Sequence, residues 1–137
     1  MGVSIKAANS TFTFDCGSGG FFNLRKNIAL ALDPEFGSLY GKLIYIYSEE
    51  DFEVFERVAT LMASRKQLDS DVLDFLFQSD AEGFVSYQTC KKIYLLIKDI
   101  DFGKKGFRYG AYYHNDYEEF KEFLLECYRH RRKMRWC

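Results

Sequence analysis

The sequence predicts an α+β fold: a small antiparallel or mixed sheet, made of an N-terminal hairpin plus one or two further strands, covered by four to six helices. Three observations predict it. Two short runs near the start alternate apolar and polar residues, the mark of a half-buried hairpin. Most of the remaining chain repeats apolar residues at three- and four-residue intervals, as helices packed on one face do. Pro34 is the only proline, so no proline-rich linker divides the chain. Residues 1–137 read as a single domain, long enough to bury roughly two thirds of its unfolded surface.

Val3, Ile5 and Ala7 define the first strand, and Phe12 and Phe14 the second. Gly17, Gly19 and Gly20 break that pattern, and Phe21, Leu24, Ile28, Ala31 and Leu32 then follow a helical stripe. Asp33-Pro34-Glu35 combines an N-cap, a proline at the first helical position and an acid in the first turn. Gly37 and Gly41 should keep that helix short. Leu43–Tyr47, "LIYIY", is β-branched and aromatic and predicts a strand. Ser48 with Asp51 resembles a capping box for a helix carrying Phe52, Phe55, Val58, Ala59 and Met62. A helix over Asp71–Gln78 opens near Asp69 or Ser70, "SDAEG" forms a turn, and Ser86 caps a helix bearing Cys90, Ile93, Tyr94 and Ile97. The stretch 101–115 is glycine-punctuated and predicts an irregular loop. Asp116 should cap a last helix with Tyr117, Phe120, Leu124 and Cys127 on its stripe, and "KMRWC" a short strand added to the sheet edge.

Composition excludes several classes. With 47% hydrophobic residues, 18% aromatic and a formal net charge of −1, the chain should fold and has no global electrostatic footprint for nucleic acid or membrane. Its start lacks the basic region and apolar run of a secretory signal, and no apolar run approaches the ~20 residues that span a bilayer. A cytoplasmic location is expected. Lys6 stands where a myristoylation signal at Gly2 needs Ser or Thr. Cys16, Cys90, Cys127 and Cys137 contain no C-x-x-C pair and share no ligand spacing with His114 and His130. Reduced thiols, no structural zinc and no cofactor are expected.

Four stretches could carry chemistry. The first is "FDCGSGGFFNLRK". A strand, a glycine cluster and a helix start expose backbone N–H groups that suit phosphate, and Gly17, Ser18, Gly19, Gly20, Arg25 and Lys26 would form the cradle. Phe22, three residues before Arg25, would stack on a base. The motif matches neither a P-loop nor G-x-G-x-x-G, so a tight turn needing positive φ is the competing reading. In the second, "DAEGFVSY", an EF-hand register would put Gln78 and Thr89 where acids are required, which favours a helix–helix turn over calcium. The third is the loop with Arg108, Tyr109, Tyr112, Tyr113 and His114, suited to a pocket lid, to a partner-binding surface or to closing over the core. The fourth is the run Arg129, Arg131, Arg132, Lys133 and Arg135 with Tyr128 and Trp136, in which Arg132 and Trp136 are the candidate ligand contacts. Its acidic counterpart is Glu49, Glu50, Asp51, Glu53 and Glu56, so a complementary contact within or between subunits would explain both. No catalytic constellation is present, and an enzyme is not expected.

The segments "FDCGSGGFFNLRKNIA", "FLFQSDAEGFVSYQTCKKI" and "FKEFLLECYRHRRKMRW" resemble, in that order, small proteins encoded by phages and prophages. That resemblance implies a viral, anti-defence setting in a host bacterial cytoplasm. The first expectation is a non-catalytic protein that sequesters a phosphorylated immune signal of cyclic-nucleotide or ADP-ribose type, as a homodimer or higher homo-oligomer. The alternative is a protein–protein inhibitor of a bacterial defence protein. Nucleic-acid binding through Arg129–Arg135 ranks third.

Overall fold

The computed structural model of the chain describes residues 2–102 and 117–137. The loop residues Arg108, Tyr109, Tyr112, Tyr113 and His114, and the expected cap Asp116, lie outside the described residues. Among those described, a four-stranded antiparallel sheet is covered by six helices, the α+β architecture that the periodicities predict. Strands β1 (Gly2–Ala7) and β2 (Thr13–Gly17) form the hairpin, and β4 (Met134–Trp136) and β3 (Gly83–Val85) complete the order β2-β1-β4-β3. The C-terminal strand is therefore interior, not added at the edge, because β3 pairs along its other side. The expected "SDAEG" turn runs directly into that three-residue strand.

Register sorts the side chains by face. Ile5 pairs with Trp136, and Trp136 with Gly83, while Ala7 pairs with Met134, and Met134 with Val85. These face the core, and Ile5, Ala7, Val85, Met134 and Trp136 are all buried. A Cβ on Gly83 would lie 2.2 Å from the Trp136 ring, so only glycine fits opposite the indole. The alternate positions, Lys6, Arg135 and Phe84, form a row on the exposed face.

Helix α1 (Ser18–Leu32) begins one turn earlier than Phe21, directly after β2. The glycine cluster is thus a strand end and a first helical turn, with no separate loop. Then come α2 (Pro34–Lys42), α3 (Glu49–Arg65), α4 (Ser70–Phe77), α5 (Tyr87–Ile97) and α6 (Tyr117–Arg129). The expected caps operate: Asp33 accepts from the Phe36 N–H, Ser48 from Asp51, Asp69 from Asp71 and Val72, and Ser86 from Thr89. The expected strand Leu43–Tyr47 is instead a 3₁₀ turn, Leu43–Tyr45, continuing from α2. Leu43 is buried and its N–H bonds to Tyr40 O, so tertiary anchoring overrides β propensity and leaves Tyr45 and Tyr47 in solvent. No helix among the described residues is long and apolar enough to cross a membrane. Cys16, Cys90 and Cys127 are buried free thiols, and Cys137 is an exposed one.

The Phe36 N–H bond, with Lys66 Nζ 3.3 Å away, holds the Asp33 carboxyl below its ordinary pKa. A depressed carboxyl stabilises the fold above its unfolded pKa of about 3.9 and loses that contribution as pH falls through the folded value. Asp33→Asn keeps a capping acceptor but cannot titrate. It should flatten the fall in urea midpoint between about pH 5 and pH 2; an unchanged slope would count against the cap.

Candidate functional site

Arg25 was expected at a solvent-facing cradle. The structure instead puts it on the core stripe, four residues after Phe21 and three before Ile28. It is only 5% exposed. Its Nη1 donates to Gln78 O at 2.8 Å, at the C-cap of α4, and Nη2 to Ser79 O at 3.3 Å, one residue beyond it. Its guanidinium carbon sits 4.3 Å from the Phe21 ring centroid, 5.3 Å from Trp136 and 5.4 Å from Phe75. Burial lowers its pKa, opposed by the nearby Tyr40 and Asp80. Its Nε has no hydrogen-bond partner, so the ring faces supply the remaining stabilisation.

The same helix end binds two further donors. Trp136 Nε1 donates to Ser79 O at 2.9 Å, and Tyr40 Oη to Leu76 O at 2.7 Å. Burial pushes the Tyr40 hydroxyl up to about 12. The Gln78 side-chain amide then clamps Phe84, accepting from its N–H at 3.1 Å and donating to its carbonyl at 2.8 Å. That pairing occupies the free edge of β3.

Arg25 and Phe22 do line one cavity, of about 490 Å³, with Tyr40, Phe52, Glu56 and Asp80. Phe22 lies parallel to Tyr40 at 6.3 Å between centroids. Two carboxylates and an arginine whose terminal donors both serve the backbone make this a poor phosphate host. Lys26 does not join it: its aliphatic stem covers Gly41, within 3.0–3.4 Å of where a Cβ would lie. Trp136 is 2% exposed and belongs to the core. Arg132 Nη1 donates to Ala8 O at 3.0 Å and Asn9 O at 2.6 Å, holding the hairpin turn. Arg25, Lys26, Arg132 and Trp136 are therefore each engaged within the fold and do not converge on one ligand position.

A cluster of cations without carboxylate partners among the described residues lies on the outer face of the sheet. After α6, period-two alternation turns Met134 and Trp136 inward and Lys133 and Arg135 outward. Lys6 stands directly opposite Arg135, and like charges in that relation destabilise a sheet. Phe84, 53% exposed, follows in the same row, with Lys133 Nζ 4.9 Å from its ring centroid. Arg131 holds the end of α6 with φ 52°. Its N–H bonds to Tyr128 O and that of Arg132 to Cys127 O, a Schellman end that ordinarily takes glycine. Around Phe84, Arg131, Lys133 and Arg135 lies a groove of about 620 Å³ with His130 on its wall and no carboxylate in its lining, while Lys6 lines an adjoining groove, with Phe84 and Arg135, whose wall carries Glu82.

Comparison with protein-family models, curated proteins and solved structures finds no match to this chain.

No group of three or more His, Cys, Asp or Glu suited to a metal occurs among the described residues. The outward set Lys6, Phe84, Arg131, Lys133 and Arg135 is the candidate site. Its signal in the sequence was the alternation through "KMRW", which separates inward from outward residues of the basic run.

Arg25→Met should lower unfolding free energy by about 2–4 kcal/mol, because Gln78 O and Ser79 O would stay buried with one donor fewer. Chemical denaturation measures it. A loss below about 1 kcal/mol would mean that water enters to replace the guanidinium.

Proposed function

We propose that the protein is a non-catalytic binding protein for a phosphorylated, nucleotide-type ligand, held in the groove between the hairpin turn, β3 and the entry to β4. The carrying observation is a groove of ligand size lined by arginines, a lysine and an exposed ring, without a carboxylate. Arg131, Lys133 and Arg135 have no ion pair among the described residues. Lys6, opposite Arg135 in the register, adds positive charge beside the groove, on the side where Glu82 also stands. Phe84 offers a ring face to a base. The resemblance to phage accessory proteins supports an immune signal of cyclic-nucleotide or ADP-ribose type as the ligand.

A second groove favours one further reading. It is lined by Tyr87, Lys91, Tyr128 and Arg129, again without a carboxylate, and it shares Arg131 with the first. Lys91 Nζ lies 4.9 Å from the Tyr128 ring centroid. An alternating track of cations and rings suits single-stranded nucleic acid, for which the logarithm of affinity falls with that of salt by about 0.7 per phosphate neutralised.

Titration calorimetry with ADP-ribose, a cyclic dinucleotide and a ten-residue oligonucleotide separates these. The small-ligand reading expects saturable binding of ADP-ribose or the cyclic dinucleotide, recovered intact after heat denaturation. Lys133→Glu with Arg135→Glu should weaken it at least tenfold, the value of about one charge-assisted hydrogen bond. Tight binding of the oligonucleotide alone selects the second reading, and no binding of any of the three removes both.

Arg131 adds a separate check. Arg131→Gly should stabilise the protein by about 1 kcal/mol, by relieving a left-handed backbone, while weakening anion binding. Thermal melts and the same titrations read both signs; gains in stability and affinity together would exclude Arg131 from the site.

A further inference from the structure

We propose that α3 is a self-association helix, pairing antiparallel with α3 of a second copy. The helix packs on α2 and the Leu43–Tyr45 turn, and of its 17 residues only Ala59 and Ala63 are buried. Around the cylinder from those alanines runs a second stripe. Asp51, Val54, Val58, Leu61 and Arg65 follow one another at intervals of three, four, three and four, the a/d spacing of a coiled-coil seam. The three apolar members are 53%, 45% and 56% exposed. Seven of the ten large hydrophobic residues exposed in the described chain fall between Tyr45 and Leu61. Phe55 flanks the seam and is itself exposed.

Charge commits the seam to a second copy. Its first position is an acid and its last a base, and neither Asp51 nor Arg65 has an ion pair among the described residues. The remainder of the helix follows the same polarity. Glu49, Glu50, Glu53 and Glu56 precede Arg57 and Arg65. Laid parallel, two copies would set acid on acid and base on base. Laid antiparallel about an axis near Val58, each Asp51 comes to the end of the seam that holds Arg65 of the other copy. A two-fold interface is self-complementary in this way. The seam spans about 21 Å of helix, short for an isolated coiled coil. Here the helix is already ordered on α2, so association does not have to fold it.

The test is sedimentation of the intact protein over a concentration series, in reducing buffer so that exposed Cys137 cannot cross-link copies. The wild type should be dimeric. Val58→Glu should be monomeric with an unchanged far-ultraviolet circular dichroism spectrum. Asp51→Arg and Arg65→Asp should each weaken the dimer about tenfold, and the double reversal should restore it. A wild type that stays monomeric, a Val58→Glu protein that still dimerises, or a double reversal no better than either single one would overturn the proposal. The first of those outcomes would leave the α3 face to a foreign protein, as an inhibitor of a defence protein would use it.

Discussion

The structure depends on how the end of α4 is closed. A helix leaves carbonyls without partners at its C-terminus, and burial without donors is costly. Here Leu76, Gln78 and Ser79 present those carbonyls to the interior, where Tyr40, Arg25 and Trp136 supply the donors. Each donor comes from a different element, so one satisfied helix end ties α2, α1 and β4 together. Gln78 carries the connection to β3 through its side-chain amide. The guanidinium also brings positive charge to the negative end of the helix dipole. Its three ring neighbours, Phe21, Phe75 and Trp136, contact one another at 5.5–6.1 Å between centroids, so hydrogen bonding and aromatic packing share one centre.

The same device recurs. Lys121, 6% exposed, donates to Ile100 O at 2.8 Å and Lys98 O at 3.3 Å just past α5, with Glu118 Oε1 at 2.8 Å as counter-ion. Arg132 does so for the hairpin turn. Three basic residues are thus spent on backbone carbonyls, which a list of charges does not reveal. Removing Arg132 from the C-terminal basic run leaves Arg129, Arg131, Lys133 and Arg135, of which the last three line the groove. A net charge of −1 conceals this, because acids elsewhere in the chain, five of them at the start of α3, balance the cations gathered beside the outer face of the sheet.

What was legible in the sequence was local. Caps at Asp33, Ser48, Asp69 and Ser86 act over two or three residues, so residue type and position sufficed. The helical stripes and the hairpin followed from period alone. Leu43–Tyr47 misled because its pattern suits a strand, while the tether that bends it comes from Tyr40 and the buried Leu43. Strand β3 was missed for the opposite reason: three residues beginning with glycine carry almost no pattern, and the strand exists through β4 and the Gln78 amide. Arg25 was not legible. Its three-residue spacing from Phe22 and a charged residue type, which points outward on average, both suggested a face off the core stripe. Only the carbonyls of α4, some fifty positions away, explain its burial.

Local rules are kept in the interior and broken at two surfaces. In the core, propensity, burial and hydrogen bonding mostly agree, with the unpartnered Nε of Arg25 and the anchored Leu43 as the exceptions. On the outer sheet face, two cations stand opposite each other and an arginine occupies a left-handed position that glycine would fill with less strain. On α3, a regular apolar seam stays in solvent although the helix is already anchored by its other side. Consistency at every level is what folding requires, and departures that folding does not need are expected where a sequence serves something else. The two departures differ in kind, one electrostatic and one apolar, and they lie on different elements. An anion-binding face and a self-association helix account for them separately, and neither asks the core to change.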